Sequence, residues 1–111
     1  TANEGYLKRI PNNVDIEKVS SDEPKLLTQI LADKGCNKVL WECGPELATA
    51  AVKAGCIQEF ITFVAPKIIG GENGMNPFSD FEFKSMNEIM NLNLQEIKSI
   101  SNDIYLRSIM K

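Results

Sequence analysis

The chain has 111 residues, 43% apolar and 24% charged, with a formal net charge of −3 and no histidine. That is the material of one soluble domain with one core, and it speaks against nucleic acid as a partner, since displacing counterions from a phosphate backbone takes clustered Lys and Arg. The missing histidine excludes a His-dependent triad or general base within these residues; neither a signal-peptide layout nor an apolar run of about 20 residues occurs, so the expected setting is cytoplasmic, away from membranes.

Residues 1–13 read as an irregular lead-in, and a chain opening at Thr1 is expected to be a fragment. Val14 to Val19 has the composition of a short strand. The segment Ser20-Ser21-Asp22-Glu23-Pro24 announces a helix running to about Lys34, with Ser21 or Asp22 as the cap and Pro24 in the first turn. Leu26, Leu27, Ile30 and Leu31 share one face, and Gly35 stands where a left-handed helix end is expected. Lys38 to Glu42 is a short apolar run of strand character. Gly44 and Pro45 follow at once, opening a second amphipathic helix with Leu47, Ala48, Ala51 and Val52 on one side and Gly55 at its end.

The run Gln58 to Pro66 is rich in β-branched and aromatic residues and reads as a buried strand. Strands alternating with helices in this order imply a largely parallel sheet. Residues 66–91 hold Gly70, Gly71, Gly74 and Pro77, and read as an exposed irregular excursion able to carry a lid. Two strands close the chain, about Leu92 to Ser101 and Ile104 to Met110, joined by a tight turn at Asn102 and Asp103. The apolar alternation slips between Leu94 and Ile97, which places a β-bulge there. Cys36, Cys43 and Cys56 form no CxxC pair and lie beside apolar stretches, so they read as small buried hydrophobes and no metal site is expected.

The stretch Lys38 to Gly55 carries the chemistry. A strand running through glycine directly into a helix aims unpaired N–H groups outward, and helix N-termini attract phosphate through those donors and the aligned peptide dipoles. Open α/β sheets bind nucleotides in such crevices. The pattern is less specific than GxGxxG or a Walker A loop, and Gly44 serving the turn with Pro45 at the first helical position accounts for it equally well. Glu42 ends an apolar strand, where a carboxylate is costly to bury without a partner; it either accepts hydrogen bonds from a polar substrate or is an exposed strand-end residue. Glu46 suits the helix dipole, the glycines after Pro66 suit a turn, and Trp41 suits the core.

The run from Val39 to Gly71, VLWECGPELATAAVKAGCIQEFITFVAPKIIGG, resembles the signature of the reductase domain of the bifunctional riboflavin-biosynthesis deaminase-reductases. Glu42, Gly44, Pro45, Leu47, Ala54, Gly55, Glu59, Ala65, Pro66, Lys67, Gly70 and Gly71 carry the likeness, and the terminal DIYLRSIM resembles the family's last strand pair. Cys43 departs from the glycine of many members and resembles the Glu-Cys-Gly form of cyanobacterial and plant-type members. The likeness extends over about residues 14–111. It implies an α/β fold, a partial dihydrofolate-reductase-like mixed sheet flanked by helices and ending in an antiparallel hairpin, with residues 1–111 as the C-terminal portion of one reductase domain. It further implies hydride transfer from NADPH to the ribosyl carbon of 5-amino-6-(5-phosphoribosylamino)uracil, opening the sugar to a ribityl chain. Glu42 would touch that pyrimidine substrate, and Gly44, Pro45, Glu46, Leu47, Ala48, Thr49 and Ala50 would line the NADPH site; zinc would belong only to a deaminase domain absent from this chain. The preference for NADPH over NADH rests on the resemblance. The isolated chain is expected to be inactive and, with an unpaired sheet edge, to form homo-oligomers. Two other functions stay open: a non-catalytic assembly module of the same fold, and a sister reductase acting on the diaminopyrimidine before deamination or on another pterin-like substrate.

Overall fold

The computed structural model describes residues 10–70 and 74–111. Its regular elements are α1 (Pro24–Asp33), α2 (Pro45–Lys53), β1 (Glu59–Val64), a 3₁₀ turn at Met86–Glu88, β2 (Leu92–Ile100) and β3 (Asp103–Met110). Gly71 lies outside the described residues.

Both helices start and stop by the same local chemistry. Each has proline in its first turn, where a missing N–H costs nothing. Each ends in a Schellman motif. Gly35 and Cys36 donate back to Ala32 and Leu31 in α1, and Gly55 and Cys56 donate back to Val52 and Ala51 in α2. The two glycines take φ of +84° and +70°, which only glycine adopts without strain. The cap of α1 is Glu23, not Ser21 or Asp22; the Ser21 hydroxyl instead accepts the Glu23 N–H at 3.2 Å, a local turn one residue earlier.

The two helices pack on each other, and Pro24 of α1 with Ala51 and Val52 of α2 are the buried apolar side chains among the described residues. Leu27, Ile30, Leu31, Leu47 and Ala48 are only half-buried. The cysteines are less buried than their apolar neighbours imply: Cys36 and Cys43 are exposed and Cys56 half-buried. At the end of an exposed helix, and on an extended segment with no cover, there is nothing for their sulfurs to pack beneath.

The sheet has order β1-β3-β2 and both pairings are antiparallel. The expected largely parallel sheet is therefore not what the described residues form. Val14 to Val19 and Lys38 to Glu42 are irregular, with Leu40 78% exposed. A strand requires a neighbour for its ladder, and among the described residues no strand runs beside either segment. Glu17 is instead paired with Lys34 beyond the end of α1. The Lys34 ammonium donates to the Glu17 carboxylate, and that bond together with the Glu17 charge raises the Lys34 pKa, so the ammonium keeps its proton at neutral pH.

The bulge is present between Leu94 and Glu96. Its extra residue, Gln95, lets Leu94 and Ile97 share a face although they are three positions apart. That face also carries Phe60, Val64, Leu92, Ile104, Leu106 and Met110 by register. The opposite face carries a Glu59–Arg107 ion pair at 3.0 Å, a Glu96–Lys98 pair at 2.8 Å, and Phe63 edge-on to Tyr105. Phe78 covers Phe60 on the apolar face, while Ile97 and Leu94 there are 61% and 53% exposed.

The hairpin turns one residue earlier than the sequence implies. Ile100 pairs with Asp103, and the positive φ of +54° falls on Ser101, the first central residue, where a II′ turn favours glycine. Ser101→Gly is therefore expected to raise stability by about 0.5–1 kcal/mol, relieving the left-handed strain. Thermal unfolding checks this; an unchanged or lower midpoint contradicts it.

Candidate functional site

Two clefts meet at the start of α2. The larger, about 550 Å³, lies between the starting turns of the two helices and is lined by Asp22, Glu23 and Pro24 from one side and Gly44, Pro45, Glu46, Leu47 and Ala50 from the other. The smaller, about 280 Å³, is walled by the apolar face of α1 and by Trp41, Glu42 and Cys43. Leu47 borders both.

The first turn of α2 has the donors the sequence implies. Gly44 is the cap with no side-chain bond, Pro45 carries no N–H, and the first helical hydrogen bond is donated by Ala48 to Gly44 at 3.0 Å. The Glu46 and Leu47 N–H groups thus have no partner among the described residues, as expected at a helix start. Gly44 itself sits at φ −69° and ψ 169°, extended backbone open to any residue, and a Cβ there would meet no atom within 4 Å. The turn consequently does not need glycine. Its lack of a side chain leaves open space directly in front of the donors.

Helical geometry sorts the seven residues from Gly44 to Ala50. Five line the larger cleft, whereas Ala48 and Thr49, a third of a turn around, do not. Thr49 is 5% exposed, and its hydroxyl accepts the Ser79 N–H at 2.8 Å. Glu42 is exposed and lines the smaller cleft, so Glu42 and Gly44 open onto adjoining spaces separated by Cys43 and Leu47. Asp22, Glu23 and Pro24 were legible in the sequence only as a helix start, because nothing in a single chain's pattern says that two helix starts face one cleft. Gly70 and Gly74 line neither cleft.

The electrostatics of the larger cleft are divided. Free N–H groups and the positive end of α2 favour an anion, but Asp22, Glu23 and Glu46 bring three carboxylates to the lining, and among the described residues no lysine or arginine joins them. Among the described residues no group of three or more Cys, Asp or Glu is placed to hold a metal.

A model of the RibD C-terminal domain matches residues 3–106. The chain belongs to the RibD C-terminal domain family. Among curated relatives of this RibD-type chain, the riboflavin biosynthesis protein RibD of Synechocystis is 36% identical over 80 residues, covering 72% of this chain and 22% of that protein. The chloroplastic riboflavin biosynthesis protein PYRR of Zea mays is 32% identical over 93 residues, covering 84% of this chain and 15% of that protein. The chain thus spans 22% and 15% of the length of these two relatives. Among solved structures, Acinetobacter baumannii RibD superposes with a TM-score of 0.69 at 26% identity over 88% of this chain and 26% of that one. A pyrimidine reductase-like protein from Corynebacterium diphtheriae, at 22% identity and a TM-score of 0.68 over 84% of this chain and 37% of that one, shares the fold. The RibD-type α/β architecture implied by the sequence is therefore present, with the antiparallel strands at its C-terminal end. Among the described residues no helix is long and apolar enough to cross a membrane.

Proposed function

We propose that this chain forms the nucleotide-facing part of an NADPH-dependent reductase that converts 5-amino-6-(5-phosphoribosylamino)uracil to its ribitylamino product, within a longer cytoplasmic, homo-oligomeric deaminase-reductase. The observation that carries the reading is the first turn of α2: in a RibD C-terminal domain chain, two unpartnered N–H groups face a cleft kept open by a glycine its own backbone does not require. Gly44, Pro45, Glu46, Leu47 and Ala50 would hold the cofactor's pyrophosphate edge, and Glu42, in the adjoining cleft, would accept hydrogen bonds from the pyrimidine. When bound, the cofactor supplies the hydride; the residues here orient it and stabilise charge. The described lining carries three carboxylates and no lysine or arginine, so cations for the 2′-phosphate would come from residues beyond this lining.

The full-length protein is assayed with the phosphoribosylaminouracil, following loss of reduced-nicotinamide absorbance. Turnover with NADPH exceeding that with NADH is expected, and the isolated chain is expected to be silent, with amide shifts confined to Gly44–Ala50 at high NADPH. Turnover with the diaminopyrimidine in preference to the deaminated substrate, or shifts centred elsewhere, would overturn the assignment.

A further inference from the structure

Thr49 is the buried polar side chain of the described residues, and it sits in the middle of α2, where a β-branched residue has no helix-forming advantage. Threonine in a helix commonly turns its hydroxyl back on the preceding turn. This one reaches across 30 residues instead, accepting the Ser79 N–H at 2.8 Å with the Ser79 carbonyl oxygen 3.4 Å away. The same Ser79 N–H also lies 3.4 Å from the carbonyl oxygen of Pro45, the first residue of α2. One peptide unit of the long excursion is therefore clipped to both the first and second turns of the helix.

The clip is reinforced on either side. Phe78 packs edge-on against Phe60 of β1, with centroids 5.9 Å apart, and against Phe81 at 5.7 Å. Phe81 stacks on Phe83 at 5.2 Å, and the Lys53 ammonium at the far end of α2 lies 5.8 Å from the Phe81 centroid. The excursion is thus docked along α2 at Thr49 and Lys53, neither of which lines the larger cleft. The turn in front of that cleft has no side-chain cap bond at Gly44, and no atom lies within 4 Å of where a Gly44 Cβ would stand. A helix start left this way frays, and a frayed start presents its donors in no fixed direction.

We propose that Thr49 is a positioning residue for the cofactor site: through its hydroxyl bond to the Ser79 backbone it sets the attitude of the Gly44–Leu47 turn and so aims the Glu46 and Leu47 N–H groups. This rests on the reading of that turn as the NADPH half-site. It gives Thr49 a role that lining the cleft does not, because Thr49 acts on the ligand only through the turn it steadies. Holding donors in place before binding spares their ordering on binding, so the effect falls on cofactor affinity and not on the chemical step.

The test uses the full-length protein with Thr49→Val, which keeps the shape and removes the hydroxyl, and Thr49→Ser, which keeps the hydroxyl. Thr49→Val is expected to raise the KM for NADPH about fivefold to tenfold, with kcat at saturating NADPH and the KM for the pyrimidine within about twofold of wild type. Thr49→Ser is expected to stay within about twofold throughout. Should Thr49→Val not fold, Thr49→Ala, whose gain in helix propensity offsets part of the lost bond, is read in its place. A lower thermal midpoint with an unmoved NADPH KM, measured where the variant is folded, overturns the proposal and leaves Thr49 a structural residue. Gly44→Asp is the control for the underlying reading. If it raises the NADPH KM while Thr49→Val does not, only the Thr49 proposal fails; if neither does, the cofactor assignment fails and takes the proposal with it.

Discussion

Gly44→Asp is expected to stabilise the fold and cripple cofactor binding at once. Gly44 caps α2 from an extended conformation with empty space where a Cβ would go, so an aspartate fits without strain. Its carboxylate can accept the free N–H of Glu46 or Leu47 and complement the helix dipole, a gain of a few tenths to about 1 kcal/mol over glycine. The same carboxylate then occupies the donors and places a negative charge where a pyrophosphate would sit. A like charge about 5 Å away at an effective dielectric near 20 costs on the order of 3 kcal/mol before salt screening, so NADPH affinity falls at least tenfold. The two effects have opposite signs, which separates a ligand role from a folding role. Thermal unfolding and an NADPH titration of the full-length protein measure them. A destabilised variant would return Gly44 to being a turn residue, and unchanged affinity would remove it from the cofactor site.

What the sequence disclosed and what it hid divide along a physical line. Features set by local chemistry were legible: proline at the head of each helix, glycine at +84° and +70° at its end, and the bulge announced by the spacing of Leu94 and Ile97. The donors at the start of α2 were legible for the same reason, since four unsatisfied N–H groups belong to every helix start. Features set by a neighbour were not. Val39 and Leu40 have strand composition, but a ladder depends on a second strand, and among the described residues none runs beside them. The turn at Ser101 lies one residue before the Asn-Asp pair that advertises it, because pairing across Ile100 and Asp103 outweighs the intrinsic comfort of asparagine at positive φ. Thr49 gave no signal, its partner being a backbone N–H 30 residues on. The carboxylates of the cleft were visible as residues, yet their convergence depends on how α1 meets α2.

The isolated chain is expected to self-associate, and charging one face of its sheet should reverse this. Its accessible surface is 9737 Å², where a compact 12.4 kDa monomer exposes about 6,100 Å². Its radius of gyration is 16.8 Å, against about 13 Å for a compact fold of this length. The excess includes the face carrying Leu92, Leu94, Ile97 and Ile104, exposed by 44%, 53%, 61% and 45%. Among the described residues both outer edges of the three-stranded sheet are also unpaired, a template for further strands. At tens of micromolar the chain should sediment as oligomers, and the double variant Leu94→Lys with Ile97→Lys should sediment as monomer. Because both side chains are already half in solvent, the substitutions cost the isolated fold little, while ammonium groups on neighbouring positions of one face repel a second sheet. In the full-length protein the sign inverts if the remainder of the domain covers this face: the two lysines are then buried without partners, and the loss is several kcal/mol. A wild-type chain that sediments as a monodisperse monomer would refute the first expectation, and a full-length double variant as stable as wild type would show that this face stays open to solvent in the longer protein.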